Sequence, residues 1–472
     1  MKIPVPSDIP AVTDLGHVFF IGIGGAGLSA IARLMAQQGV TVSGSDASSS
    51  AVTRALEAEG ITCHVGHDAA HLAGVDTVIA STAVRDDNPE IVEALRRGLR
   101  LWPRSAGLRS VMHGRRTIAV AGTHGKTTTT AMLTCALIAA GAEPSFAIGA
   151  EVASLGANAR LGAGDLLVAE ADESDGAFLV YEPEGAVVTN VDADHLDNYG
   201  TVEAYDAAFD EFIGRIGRFV VLSSDDPGTQ ALAAVARARG LAVLTAGFAD
   251  DADLQGRGLR VQGTSTTFTV LWRGVDLGPV TLAVPGAHYA LDALLALGTG
   301  LLLEQNVDLL IAGLGAYTGA NRRMQPLGEA GGVRVYDSYA HHPTEIRADL
   351  AAARSVAGES RLVVAFQPHL VSRTRLYGAD MGRALSAADR VFVADIYLAR
   401  EDPDPAVTSA LIVDAVAGTV ASLGGGVATL AAVLVPELRP GDLLLTLGAG
   451  DITTVGPAVL AALEAGAAEN EA

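Results

Sequence analysis

The chain has 472 residues, of which 54 are acidic and 32 basic, giving a formal net charge of −22 at neutral pH. That length exceeds what one hydrophobic core serves and implies two to four domains, and an acidic balance with no basic stretch argues against a nucleic-acid partner. Cys63 and Cys135, the only cysteines, exclude a disulfide framework and a cysteine-based metal site, and read as two buried thiols.

In chain order, residues 17–45 read as a strand ("HVFFIGIG"), a glycine turn, a helix ("GLSAIARLMAQQG") and a second strand ("VTVSGSD"). With "TVIASTAV" and a helix "NPEIVEALRRG" to follow, the first hundred residues predict a parallel α/β sheet. A second series starts at "RRTIAVAG", an apolar strand entering a polar loop and then the helix "TTTAMLTCALIAAG". Strands "DLLVAEAD", "GAVVTNVD", "FVVLSSDD" and "LAVLTAG" continue it, and 255–285 alternates like a small antiparallel sheet. "HYALDALLALGTGLLLEQ" is the nearest approach to a membrane span, but Asp292 and two glycines interrupt it and it reads as a buried helix. A third α/β series begins near 333 with "VRVYDSYA", "RLVVAFQP", "RVFVADIY" and "DLLLTLGAG", and "LEAGAAENEA" reads as a helix end and a tail. The amino terminus has no signal-type apolar core, so neither export nor membrane insertion is expected and the cytoplasm is the expected compartment.

"GIGGAG" places Gly22, Gly24 and Gly27 in the dinucleotide-loop spacing, with Asp46 closing the next strand. Amides at a helix N-terminus in that arrangement face a pyrophosphate, in NAD or in another nucleotide diphosphate. "GTHGKTTTT" carries Gly125-Lys126-Thr127 between an apolar strand and a helix, but Val120 stands where the general phosphate loop has its first glycine. Backbone amides there would wrap phosphates, the lysine would reach β/γ oxygens and a hydroxyl would hold Mg²⁺, so ATP is the expected ligand. "VAEADESDGAF" adds Glu170, Asp172, Glu173 and Asp175 at one strand end, and "TNVDADHLDNYG" adds Asp192, Asp194, His195 and Asp197 at the next. Carboxylates beside a phosphate loop fit a divalent cation that neutralises charge in phosphoryl transfer. Later, Arg322, Arg323, Asp337, Tyr339, His341, His342, His369, Arg373 and Arg375 gather at predicted strand ends and fit anion or carboxylate binding. His341-His342 lacks a third zinc ligand at helical spacing.

These residues together resemble the Mur ligase family, through "GIGGAGLSAIA", "SGSD", "GTHGKTTTT", "AEADESDGAF", "TNVDADHLDNYG", "YDSYAHHPTEI", "FQPHLVSRT" and "GAGDI". The family's phosphate loop is the short form that stands here. The resemblance implies three α/β domains: a Rossmann-like UDP-sugar domain (1–108), a central P-loop ATPase domain with a mostly parallel sheet (109–318), and a Rossmann-like C-terminal domain (319–472) that closes over ATP and binds the amino acid. It implies ATP-dependent joining of L-alanine to the lactyl carboxylate of UDP-N-acetylmuramate through an acyl phosphate, with ATP and Mg²⁺ as cofactors, in a monomer or homodimer. By that resemblance Gly22, Gly24, Gly25, Ala26, Gly27, Asp46, Ser81 and Arg104 bind the UDP-sugar. Gly122, Thr123, His124, Gly125, Lys126, Thr127, Thr128, His288, Asp292, Arg323 and Asp337 bind ATP. Lys126, Glu170, His195 and Arg323 are the implied catalytic residues, and Thr127, Glu170 and His195 the implied metal ligands. Tyr339, His341, His369 and Arg373 match positions near the incoming alanine, and either His195 or His341 is a plausible base for its amine.

The chain departs from the family pattern in four places. Tyr289 and Asp292 stand in a segment that commonly carries asparagines, and a carboxylate at 292 cannot donate the hydrogen bonds of an amide. Leu370 replaces a frequent arginine, read as a variant alanine pocket, and Ser338 replaces a frequent aspartate with little expected effect. The alternatives are a sister ligase joining a peptide to the same sugar and a non-catalytic nucleotide-binding relative. A nicotinamide oxidoreductase built on "GIGGAG" would leave Lys126 and both acidic clusters unexplained.

Overall fold

The structure, a computed structural model, describes residues 3–81, 84–399 and 401–471, and the side chains of Asp197 and of 467–471 fall outside the description. Two compact units result: Met1–Arg257 with Thr269–Val280 and Leu291–Tyr317, and Gly258–Phe268 with Thr281–Ala290 and Thr318–Ala472.

The first unit opens with β1 (Val18–Ile21), β2 (Val42–Asp46), β3 (Thr62–Val65), β4 (Thr77–Ala80) and β5 (Arg100–Pro103), ordered β3-β2-β1-β4-β5. Every pair is parallel. β1 is buried at all four positions, as a central strand covered on both faces must be, which is why "VFFI" is a continuous apolar run. β5, "RLWP", was not anticipated; its proline is tolerated because the strand is at the sheet edge.

The second sheet contains β6 (Arg116–Ala121), β7 (Ser145–Val152), β8 (Ala157–Arg160), β9 (Leu166–Glu170), β10 (Gly185–Val188), β11 (Phe219–Ser223) and β12 (Ala242–Gly247). β13 (Leu254–Gln262), β14 (Ser265–Trp272) and β15 (Val275–Leu282) complete the order β15-β14-β13-β12-β11-β10-β6-β9-β7-β8. The alternating stretch 255–285 is therefore the outer end of this sheet and not a separate one. β6 lies between β10 and β9, so the polar loops after these three strands emerge side by side. The helix Lys126–Ala139 that follows β6 buries Thr127–Thr130; Thr130 and Thr134 hydroxyls donate to the carbonyls of Lys126 and Thr130, one turn back. At the far edge β7 and β8 form an antiparallel hairpin, and Asn158 on it donates to the Ala26 carbonyl at 3.0 Å and to Ser29 Oγ at 3.1 Å. That contact fastens the helix Ala26–Gln37 of the first sheet to the second. The apolar stretch around Asp292 is the helix Ala287–Leu302, with Ala293–Leu297 wholly buried, and no described helix is long and apolar enough to cross a membrane. Cys135 is buried but Cys63 is only part-buried, against the expectation for both.

The second unit carries β16 (Gln325–Ala330), β17 (Val333–Ser338), β18 (Leu362–Phe366), β19 (Arg390–Ala394), β20 (Val420–Gly425) and β21 (Leu443–Leu447), ordered β16-β17-β21-β18-β19-β20. Among the described residues only β16 pairs antiparallel, and apolar clusters cover both faces of the sheet. The chain crosses from β18 through β19 and β20, then returns as β21 between β17 and β18. That reversal places the ends of β17, β18 and β21 at a switch point, where open α/β sheets hold their ligands. The final segment is helix, Val455–Glu471, where a helix end and tail were expected.

Candidate active site

The first glycine loop follows β1 directly. Gly22 has φ 85°, a left-handed conformation, and its amide donates to the Ser45 carbonyl at 2.8 Å. Asp46 Oδ2 accepts from the Gly24 amide at 2.9 Å, and a Cβ at Gly24 would lie 2.9 Å from that same oxygen. Gly25 caps the helix Ala26–Gln37, Ser81 sits against Gly22, and the Arg104 guanidinium lies over Gly27. All eight residues expected at the UDP-sugar thus gather at one helix N-terminus. Arg104 pairs with Asp172 at 2.6 Å. Burial works against the arginine charge, but Asp172 with Tyr181 and Asp175 more than offsets it and holds its pKa above the ordinary value. Asp172 is likewise opposed by burial yet held well below the carboxylate range by Arg104 and Lys126.

The phosphate loop is tied down by its neighbour strand. The His124 amide donates to Asn190 Oδ1 at 2.9 Å, and its carbonyl accepts from Asn190 Nδ2 at 3.0 Å and Thr189 Oγ1 at 2.5 Å. The His124 ring nitrogen lies 3.3 Å from Asp192 Oδ2. The Thr123 hydroxyl bonds to the Asp192 backbone and to the Tyr205 hydroxyl at 2.7 Å. Gly125, at φ 83°, starts the helix, and Thr127 and Thr128 are buried in its first turn. The short loop is a complete turn, with Asn190 doing the bracing.

Lys126 Nζ curls back onto the Gly122 and Thr123 carbonyls at 2.6 and 3.0 Å and meets Glu173 Oε2 at 2.8 Å. Burial opposes the ammonium, but Glu173, Asp172 and Glu170 outweigh it and raise its pKa. Glu173 has no exposed surface; burial pushes it up to about 7 although Lys126 pulls the other way. His195, at φ 53°, points Nε2 toward Glu173 Oε1 at 3.8 Å and Asp194 Oδ2 at 3.7 Å. Glu170 accepts from the Gly149 amide at 2.5 Å. The Thr127 hydroxyl and the Glu170 carboxylate are oxygen donors of the kind a divalent cation takes, in a surplus of acidic groups around one lysine, whereas the His195 imidazole is an unusual ligand for Mg²⁺. The Asp197 side chain lies outside the described residues.

Asp292 stands directly behind the loop. Thr129 Oγ1 donates to its Oδ1 at 3.0 Å, and a Cβ on Gly125 would come within 2.6 Å of the same oxygen. What Asp292 needs to do here is accept, which a carboxylate does as well as an amide.

In the second unit Arg322 and Met324, flanking Arg323, both have positive φ, 60° and 47°. Strained non-glycine backbone persists only where its surroundings over-determine it. Here Tyr289 donates its hydroxyl to the Arg323 carbonyl at 3.1 Å, and the Tyr339 amide donates to the Arg322 carbonyl at 2.8 Å. Both guanidinium groups lie over the Tyr339 ring, at 4.8 and 5.5 Å. Aromatic contacts continue from Tyr339 to His341, His369 and Tyr397, the last two stacked with 5.7 Å between centroids. Leu370, beside His369, takes φ 68°. Arg373 is buried in the first turn of the helix Val371–Leu385. Asp337 is fully buried, with Thr446 and Thr453 hydroxyls and Arg322 Nε around its two oxygens. His288 packs on Tyr289, with Nε2 3.9 Å from Asp349; burial, with Arg323, lowers it to about 4. Asp349 is pushed up to about 7 by burial, against the hydrogen bond that Ser338 donates to it. Ser338 is thus engaged, a consequence its sequence position did not suggest.

Asn190, Thr189, Tyr205, Glu345 and Tyr397 also stand at these sites, although the sequence does not single them out. Asn190 and Thr189 open "TNVDADHLDNYG", but beside the aspartates and histidine of the same motif nothing local marks them as braces of a neighbouring loop. Tyr205 and Tyr397 carry no local signal, because only folding brings them to Thr123 and His369.

Three family models match in order: "Mur ligase family, catalytic domain" at 17–116, "Mur ligase middle domain" at 120–300 and "Mur ligase, glutamate ligase domain" at 322–450. The chain is 57% identical to a UDP-N-acetylmuramate–L-alanine ligase of a Nocardioides species, across 98% of this chain and 100% of the relative. It is 51% identical to the like-named enzyme of Kineococcus radiotolerans, across 97% and 98%. Among solved structures, the UDP-N-acetylmuramate–alanine ligase of Thermotoga maritima superposes with a TM-score of 0.82 at 29% identity, covering 95% of this chain and 99% of that one. A murein peptide ligase of Psychrobacter arcticus shares the fold, with a TM-score of 0.72 at 24% identity over 95% and 99%.

Proposed function

The chain belongs to the Mur ligase family, and from that membership we propose how its residues divide the work of joining L-alanine to UDP-N-acetylmuramate. The end-to-end identity of 57% to an enzyme of that name carries the reading. The fold alone does not, since a peptide-adding ligase shares it.

In the reaction the lactyl carboxylate of UDP-N-acetylmuramate attacks the γ-phosphorus of ATP, and ADP leaves. The alanine amine then attacks the acyl carbon, the bond to phosphate breaks, and inorganic phosphate leaves with the electron pair. Both steps gather negative charge on oxygen, so preorganised cations are the main catalytic resource. Lys126 exchanges its Glu173, Gly122 and Thr123 partners for the β/γ-phosphates. Mg²⁺, held by Thr127, Glu170 and His195, would neutralise charge on the transferred phosphate. Arg323, on its strained turn and stacked on Tyr339, is the further cation the family resemblance offers to that phosphate. The "GIGGAG" amides with Arg104 hold the UDP pyrophosphate, and Tyr339, His341, His369 and Arg373 receive alanine. A reaction that consumes ATP and a sugar nucleotide supports the reading that the protein works in the cytoplasm.

Phosphate release from ATP and UDP-N-acetylmuramate, with alanine, glycine, serine or a tripeptide as acceptor, tests the reading. Alanine is expected to drive turnover and to add its mass to the sugar nucleotide. Turnover with the tripeptide alone would overturn it.

A further inference from the structure

The helix Pro343–Ala357 begins with a capping box: Glu345 accepts from the His342 amide at 3.3 Å, and also from the His341 amide at 3.0 Å. A capping glutamate needs no more than that. Glu345 Oε2 also lies 3.3 Å from His341 Nδ1, its Oε1 lies 3.8 Å from Arg323 Nη1, and its side chain is only 12% exposed. His341 Nδ1 faces a second acceptor, the Tyr339 carbonyl, at 3.0 Å. A ring nitrogen between a carbonyl oxygen and a carboxylate must carry the proton, because neither neighbour can donate to it. In the neutral ring that leaves Nε2 as the basic nitrogen. The arrangement is the orienting logic of an acid–histidine pair, in which the carboxylate sets the tautomer and stabilises the imidazolium.

We infer that Glu345 is a positioning residue for amide formation, holding His341 with Nδ1 protonated so that Nε2 takes the proton from the alanine ammonium. The inference rests on the alanine-ligase reading above. The balance is simple. One proton moves from the alanine nitrogen to Nε2, the freed pair attacks the acyl carbon, and phosphate departs with the carbon–oxygen pair. His195 is the weaker candidate for this proton, because its Nε2 is turned toward Glu173 and Asp194. Among the described residues, the charged and titratable groups facing the His341–Glu345 pair include Arg323, Tyr339, His369 and, through Glu345, His288 and Asp349.

Hydroxylamine separates the two halves of the reaction, because near neutral pH it is largely unprotonated and needs no base. With ATP, UDP-N-acetylmuramate and hydroxylamine but no alanine, the trapped hydroxamate reports acyl-phosphate formation. Glu345→Gln keeps an oxygen for the two amides but loses the charge. Its hydroxamate yield should stay within about threefold of wild type while alanine-dependent kcat falls about tenfold or more. The acid limb of its kcat–pH profile should move to lower pH, since an imidazolium without its carboxylate loses its proton more readily. Equal losses in both assays, or an unmoved limb, would overturn the inference. Should Glu345→Gln fail to fold, ¹⁵N-histidine spectra of the wild-type protein decide, with His341 assigned by difference against His341→Gln. An Nδ1–H signature supports the inference, and an Nε2–H signature sinks it. A wild type that ignores alanine would remove the ligase reading and this inference together, whereas an alanine-active wild type with an unaffected Glu345→Gln removes the inference alone.

Discussion

The pairing of Lys126 with a wholly buried Glu173 sets a stability problem as well as a catalytic one. Removing one partner of a buried ion pair strands the other, at a cost of about 3–5 kcal/mol. Lys126→Met should therefore lower turnover at least about 100-fold and also destabilise the ligand-free protein in urea melts. Adding Glu173→Gln should recover most of the stability and none of the activity. A Lys126→Met protein as stable as wild type would show that the pair is not the buried contact described. Asp292 makes a second residue-scale case. Because its work is to accept from Thr129 and to back Gly125, Asp292→Asn should keep the KM for ATP within about threefold. Asp292→Ala, which leaves a buried hydroxyl without that acceptor at about 1–3 kcal/mol, should raise it about tenfold. Equal KM values in both variants would move Asp292 from the loop's support to some other task. The sequence exposed the motif residues because short spacings encode one turn at a time. It did not expose what stands behind them, since Asp292 reaches Gly125 only once the helix Ala287–Leu302 has folded.

At the scale of elements, the clearest sequence signals were central strands such as β1, β6 and β18, where burial on both faces demands unbroken apolar runs. Edge elements were harder: β5 opens with arginine, and β7–β8 mixes glycine, glutamate and asparagine because one side of it meets solvent. Yet that hairpin carries Asn158, whose amide holds the Ala26 carbonyl and Ser29 while its oxygen accepts from Arg33. Asn158→Ala should cost about 1–3 kcal/mol by stranding buried partners, and should raise the KM for UDP-N-acetylmuramate more than that for ATP, since Ala26 lies in the loop proposed to hold the sugar nucleotide. A larger effect on ATP would contradict the assignment. The helix Pro343–Ala357 offers a pH test through Asp349, whose carboxyl sits at about 7 in the fold against 3.8 when unperturbed. The folded state then binds the extra proton, so this group's contribution is full below about pH 4 and is lost as pH rises through 7. Asp349→Asn should flatten the fall in unfolding free energy between pH 4 and 7 by up to about 1 kcal/mol per pH unit. A slope unchanged from wild type would mean that Asp349 titrates normally.

For the whole molecule, the acidic excess of 54 over 32 contrasts with the chemistry, because ATP, the sugar nucleotide and the acyl phosphate are all anions. The cations proposed to meet these anions are few and local, at Arg104, Lys126 and Arg323; Asp172 and Glu173 hold the first two, Asp337 holds the neighbouring Arg322, and Glu345 lies 3.8 Å from Arg323. Those pairs keep the sites organised without ligand while the remaining surface charge repels itself. Self-repulsion at this net charge destabilises the compact state and is screened by salt, with a Debye length of about 10 Å at 0.1 M. Raising monovalent salt from about 0.01 to 0.2 M should therefore raise the melting temperature at pH 8, where the carboxylates are ionised. The gain should shrink toward zero near pH 5, close to the sequence isoelectric point of 4.8. The local pairs act in the opposite sense, since salt weakens them too, but they are partly buried and screened less than surface charges. A melting temperature that falls with salt at pH 8 would mean that the ion pairs, and not the net charge, dominate the electrostatics of the fold.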